Sequence, residues 1–217
     1  MYRSVEVRWF LGGAVDEGVA TWVNDGIPPT WARREDVYVV LPGSDDMGVK
    51  LRGPEVTPRG PQPARFEVKG RVARRGVLDA DFGEVRVRGH VEEWLKWSYE
   101  GDAIRPFVEG FLAHPARIAV AKARVQRKYD LAPGRVPFPR VGLETDLPRG
   151  AYLELAVVRA GETVGWSLGV EAFGPLDDGQ LEEALHRFVG EAFRDCPRTL
   201  RLEDSYSYPG WLTILPG

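Results

Sequence analysis

Charged and apolar residues alternate along most of this chain, and the alternation has the period of a strand. Glu6 and Arg8 alternate with Val5 and Val7, Lys50 and Arg52 with Val49 and Leu51, and Glu67, Lys69 and Arg71 with Phe66 and Val68. Further on, Arg86 and Arg88 alternate with Val85 and Val87, and Lys122 and Arg124 with Ala121, Ala123 and Val125. Glu154 lies between Leu153 and Leu155, and Glu171 follows a stretch in which Val164, Trp166, Leu168 and Val170 share the opposite parity. Side chains of a strand project to opposite faces in turn. Each of these segments therefore predicts a strand with one ionic face and one apolar face.

Between them the pattern predicts the remaining elements. The first strand is expected over Arg3–Leu11, ending at Gly12-Gly13, and Asp16–Asn24 reads either as a short helix or as a turn and strand. Val37–Leu41 is a short strand stopped by Pro42-Gly43, and Gly53–Ala64 a long proline- and glycine-bearing hairpin connection. From Val91 the period changes: Val91, Trp94, Leu95 and Tyr99 share a helical face opposite Glu92, Glu93 and Lys96, which predicts a helix. Trp94 and Trp97 would pack that helix onto the sheet, and a second short helix is expected over Ile104–Leu112. Alternation returns over Arg117–Tyr129, a short strand is expected over Arg140–Asp146, and Ala151–Val158 pairs with Thr163–Phe173 across Ala160-Gly161-Glu162. The clearest helix is capped by Asp177 or Asp178 and carries Leu181, Leu185, Phe188, Val189 and Phe193 on one face, which should dock on the outside of the sheet. The aromatic segment Ser205–Leu212 is expected to tuck against the body.

Charge changes the picture. A solvated sheet face normally mixes Ser, Thr, Asn and Gln with balanced signs. Here the ionic positions are nine basic (Arg8, Lys50, Arg52, Lys69, Arg71, Arg86, Arg88, Lys122, Arg124) against four acidic (Glu6, Glu67, Glu154, Glu171). The chain as a whole has a net charge of -3 and a pI near 5.7, which argues against general nucleic-acid binding. Positive charge gathered on particular strands of an acidic protein points to a focused anion site. With 217 residues, 43% of them hydrophobic, residues 1–217 read as one domain with a sufficient core. Cys196 is the one cysteine, so no disulfide framework or cysteine metal site is expected, in keeping with a reducing compartment. No apolar signal core opens the chain and no segment reaches bilayer length, so the expectation is a soluble cytoplasmic protein without membrane partners. His90, His114 and His186 lack metal-ligand spacing, and no phosphate-binding glycine loop is present. Oligomeric state is left open.

A sheet of this kind must cover its apolar face, and helices supply the cover. If the sheet closes, the ionic face becomes a lumen whose cations call for water, partner charges or an anionic ligand. Ser4-Val5-Glu6-Val7-Arg8, Gly48-Val49-Lys50-Leu51-Arg52, Phe66-Glu67-Val68-Lys69-Gly70-Arg71, Lys122-Ala123-Arg124, Leu153-Glu154-Leu155 and Val170-Glu171 resemble, in this order and over most of the chain, the CYTH superfamily of triphosphate tunnel metalloenzymes. The resemblance implies an α+β, mainly antiparallel fold: an eight-stranded barrel with a charged interior and helices packed outside. It implies a metal-dependent hydrolase acting on a triphosphate-containing small molecule or polyphosphate gripped by the nine basic residues, with Glu6, Glu67, Glu154 and Glu171 holding Mg²⁺ or Mn²⁺. The chain departs from the family in its first strand, where Glu-x-Glu-x-Lys is represented by Ser4, Glu6 and Arg8. The late acids are also unpaired, since Ala156 stands two after Glu154 and Gly169 two before Glu171. A protein that binds a polyphosphate, nucleotide or other anion without turnover is therefore the alternative, and a self-neutralising ionic core is a third reading.

Overall fold

The computed structural model describes residues 2–215 apart from 28, 53–54, 58–59, 63–64, 101–104, 133, 135–136 and 176–177. Along the chain come β1 (Tyr2–Gly12), α1 (Glu17–Val23), β2 (Ala32–Val39), β3 (Met47–Arg52), and the three-residue strands β4 (Glu55–Thr57) and β5 (Gly60–Gln62). There follow β6 (Arg65–Asp81), β7 (Arg86–Tyr99), α2 (Arg105–Ala113), β8 (Arg117–Asp130), the two-residue β9 (Arg140–Val141), β10 (Gly150–Ala160), β11 (Thr163–Phe173), α3 (Asp178–Ala192) and α4 (Tyr208–Thr213). Eight strands close into an antiparallel barrel in the order β1-β11-β10-β8-β2-β3-β6-β7, and β7 returns to β1. The outcome is α+β and mainly sheet, as the alternation predicts.

The apolar face points outward and is covered by helices. Val5, Val7 and Trp9 of β1 and Leu168 and Val170 of β11 pack in one buried cluster with Leu181, Leu185, Phe188, Val189 and Phe193 of α3. Burying an aliphatic or aromatic side chain of this size contributes about 1.5–3 kcal/mol, so this layer fixes the barrel against α3. The undecided stretch after β1 is a helix: Asp16 caps α1 by accepting a hydrogen bond from the Val19 amide, at 3.1 Å.

Two expectations are corrected. Val91–Tyr99 is strand, not helix, because it is paired on both sides: Tyr2–Glu6 of β1 align with residues 92–96, and Phe66–Arg71 of β6 with residues 94–99. Both faces of this strand are buried over residues 91–94, so the spacing that looks helical combines an inner set (Glu92, Trp94) with an outer set (Val91, Glu93). Trp94 and Trp97 accordingly pack no helix onto the sheet. β2 starts at Ala32 rather than Val37, which adds Arg34 and Asp36 to the wall.

One seam in the barrel decides where the chain ends up. The β1–β7 ladder stops at Glu6 and Glu92. Beyond it, β7 leaves with β6, whose register shifts between Arg71 and Ala73 and again between Arg74 and Gly76; Gly76 has φ +111°, a conformation that glycine adopts without a Cβ clash. Residues 200–206 fill the gap. The Leu200 amide donates to the Arg86 carbonyl (3.0 Å) and the Leu200 carbonyl accepts from the Arg88 amide (2.8 Å), while the Tyr206 amide donates to the Arg8 carbonyl (3.1 Å). Ser207 then caps α4 through the Gly210 amide, at 3.2 Å, and α4 enters the end of the barrel.

Candidate functional site: a charged lumen sealed at one end

The sealed end is aromatic. Trp211 of α4 stacks on Phe10 of β1, with centroids 4.5 Å apart and planes 5° apart, and Tyr208 stacks on Tyr38 of β2 at 5.8 Å. Val120, Ala156, Val158, Ala160 and Leu212 complete this buried cluster. Lys122 of β8 lies against it, its ammonium 3.7 Å from the Tyr208 ring centroid, 2.9 Å from Asp36 Oδ2 and donating to Tyr38 Oη at 2.9 Å. Asp36 is fully buried and also meets Lys50 (3.3 Å) and Arg34 (3.1 Å). Burial pushes its carboxyl up, but Lys122, Lys50 and Arg34 outweigh that and hold it well below the usual range.

Further along the lumen, Arg8 reaches across β11 to Glu154 of β10, at 3.0 Å, and donates to Ser167 Oγ at 3.1 Å. It can do so because its neighbour in register is Gly169: a Cβ there would lie 2.5 Å from the guanidinium carbon. The position where a second late acid was looked for is thus filled by Arg8 itself. Glu154 also accepts from Arg124 (3.2 Å) and Gln126 (2.8 Å); burial pushes its carboxyl up, but the charges of Arg8 and Arg124 draw it far down. Glu67 meets Lys50 at 3.0 Å and Arg52 at 3.5 Å; burial raises it, yet Lys50, Lys96 and Arg52 bring it from 4.5 to about 2.

Glu6 and Glu171 are register neighbours on β1 and β11. The Lys69 ammonium joins them, 2.5 Å from Glu6 and 3.8 Å from Glu171. Burial pushes the Glu171 carboxyl up, and Lys69 and Lys96 more than offset it. Ser4, in place of the motif's first Glu, is fully buried. Arg71 is held by Glu92 and Asp45, both at 2.7 Å, and the Trp94 ring lies inside, 5.3 Å from the Lys69 ammonium.

The structure therefore brings Arg8, Lys50, Arg52, Lys69, Arg71, Lys122, Arg124, Glu6, Glu67, Glu154 and Glu171 to one lumen face. Arg86 and Arg88 lie elsewhere. They have the parity of Glu92, but β7 has left the wall at that point, and their exposed side chains pair with Asp79 at 2.8 and 3.2 Å. Sequence reading missed Arg34, Asp36, Glu92, Trp94 and Lys96. For Arg34 and Asp36 the two-apart spacing was present, just ahead of the apolar run at Val37. For Glu92 and Lys96 it was obscured by the helical appearance of the segment. Among these described side chains, nine basic ones (Arg8, Arg34, Lys50, Arg52, Lys69, Arg71, Lys96, Lys122, Arg124) stand with six acidic ones on the strands (Glu6, Asp36, Glu67, Glu92, Glu154, Glu171) and with Asp45, which reaches Arg71 from the loop before β3, so a positive excess remains. No group of three or more His, Cys, Asp or Glu converges as a metal site among the described residues.

No family model matches the chain, and no curated protein matches its sequence. Among solved structures, the PH1819 protein from Pyrococcus horikoshii OT3 is similar over 96% of this chain and 97% of its own, with a TM-score of 0.50 and 14% identity. The likeness is one of fold. A conserved hypothetical protein from Pyrococcus furiosus aligns over 95% of this chain and 98% of its own, with a TM-score of 0.46 and 14% identity. A Hippeastrum protein described as a putative adenylyl cyclase with a dominant triphosphatase activity aligns over 88% of each chain, with a TM-score of 0.36 and 11% identity. Neither of these two is near enough to carry an argument about the lumen. Among the described residues, no helix is long and apolar enough to cross a membrane.

Proposed function

We propose that the lumen binds a triphosphate-containing small molecule or other polyphosphate, gripped by Lys50, Arg52, Lys69, Lys96, Arg8 and Arg124. The observation that carries this reading is the positive excess on a closed, partly buried wall. A surplus of positive charge on a partly buried wall is costly, and phosphate oxygens accept the charge-assisted hydrogen bonds that Lys and Arg donate. Lys122 and Arg71, saturated by their own partners, serve as framework, and Arg86 and Arg88 stand outside the site. Isothermal titration with tripolyphosphate tests it. Binding that weakens with salt and is lost in the Lys50→Ala/Arg52→Ala double variant is expected; a flat titration of the folded protein would sink the reading.

The adjacency of Glu6 and Glu171 around one ammonium favours a second reading, in which the same site hydrolyses its ligand with a divalent metal. Two carboxylates fit Mg²⁺ or Mn²⁺, which commonly take one or two carboxylates with phosphate oxygens and water. Lys69 stands where such a cation would sit, and Glu67 and Glu154, each held between protein cations, do not fit that role. When bound, the ion would polarise the terminal phosphoryl group. The chain's own contribution is to hold phosphate oxygens with Arg8, Arg124 and Lys50, and to offer Lys69 to the phosphate once its carboxylates are otherwise engaged. Phosphate release from tripolyphosphate, thiamine triphosphate and ATP, with Mg²⁺, Mn²⁺ or chelator, separates the readings. Release abolished by chelator and by Glu6→Gln establishes the hydrolase, whereas binding without release leaves the anion-binding protein.

A further inference from the structure

We propose that the tunnel is blind, so that it takes a linear polyphosphate only by a chain end; this rests on the polyphosphate reading above and adds to it the form in which the ligand enters. At one end, residues 200–206 pass through the β1–β7 seam and deliver α4 into the barrel. Trp211 and Leu212, 7% and 5% exposed, pack there with Phe10, Tyr38 and Val158 in a dry cluster. A phosphate chain cannot cross such a plug, because its charges would leave water without partners.

The cations report the same polarity. Next to the plug, the Lys122 side chain is 2% exposed and fully engaged by Asp36, Tyr38 and Tyr208, which leaves it nothing to offer a ligand. Away from it, the Arg52 and Lys69 side chains are 21% and 25% exposed, and Lys50, which bridges Asp36 at the plug to Glu67 on the far side, is 18% exposed. Solvent reaches the lumen from that side, and it is from there that an anion would enter. A terminal phosphate can advance until it meets Arg8, Lys50 and Arg124, and the rest of the molecule then projects from the mouth. A long chain has the same two termini as a short one, so the protein recognises ends and not length.

Loading of long linear polyphosphates of graded length, measured at saturation by sedimentation velocity, tests this with the unaltered protein. One protein per chain end is expected, with no increase as the chain lengthens, and the Lys50→Ala/Arg52→Ala variant should not load. Loading that grows in proportion to chain length would overturn the blind tunnel while leaving tripolyphosphate binding intact, since a threaded tube or an outer groove fills along the chain. Failure of tripolyphosphate and long polyphosphates alike to bind the folded protein would remove the underlying reading as well.

Discussion

The two halves of the lumen are built from the same residue types and behave differently. Around Asp36, every charge has a partner and the carboxylate is shut away from solvent: Lys122, Lys50 and Arg34 surround it beneath a stack of Tyr38 and Tyr208, and Lys50 also reaches Glu67 towards the open side. Around Glu6 and Glu171, one ammonium serves two carboxylates, and its side chain keeps a quarter of its surface open. A buried charge set that is complete holds structure and has little left for a ligand, whereas one that is incomplete and wet exchanges partners at low cost.

This comparison breaks most readily at the sealed half. Asp36→Ala leaves three cations facing one another, and removing one partner from a buried ion pair costs about 3–5 kcal/mol; Trp211→Ala, which empties the plug, should cost about as much. Urea denaturation reads both, and a wild-type midpoint in either variant would mean that this half is not framework. Acid comes next. The Glu67 carboxyl falls from 4.5 in the unfolded chain to about 2 in the fold, and Asp36 and Glu154 are also depressed. Groups lowered in the folded state contribute stability that is complete above their unfolded values and is lost as pH falls. The melting temperature should therefore decline from pH 4.5 towards 2, and the decline should be shallower in Glu67→Gln. In the open half, Lys69→Ala should shift stability by less than about 1 kcal/mol yet weaken tripolyphosphate binding by about 10- to 100-fold, the worth of a charged hydrogen bond. Calorimetry and thermal melts on the same sample separate the two effects. The smallest effect is expected outside the lumen: Arg86→Ala should change neither the melt nor the affinity.

Much of the barrel could be read from parity alone, because alternation is a local property that each strand carries by itself. Lys50 with Arg52, Glu67 with Lys69, and Lys122 with Arg124 each announce an inward face without reference to their neighbours. Parity has no means of reporting where a strand leaves the wall. Arg86 and Arg88 keep the spacing of the inner set, and only the register shifts near Gly76, 10 and more residues away along the hairpin, carry them out of the lumen. Residues 91–99 failed for the opposite reason: with both faces buried over residues 91–94, the polar–apolar contrast that marks a strand is gone there. The aromatic run near Trp211 was expected against the body, and it was its entry into the barrel, which depends on the seam, that sequence could not supply. Likewise Gly169 read as a missing acid until Arg8 was seen lying over it.

The seam has one more consequence, for what the molecule avoids. A barrel normally has no free strand edges, and opening it between β1 and β7 would leave two, each offering unpaired amides and carbonyls to another chain. Residues 200–206 cover them, bonding to the backbone of Arg86 and Arg88 on one side and of Arg8 on the other. The segment that stoppers the lumen is thereby also the guard against edge-to-edge aggregation, so a substitution that frees it would be expected to cost solubility along with the closed end.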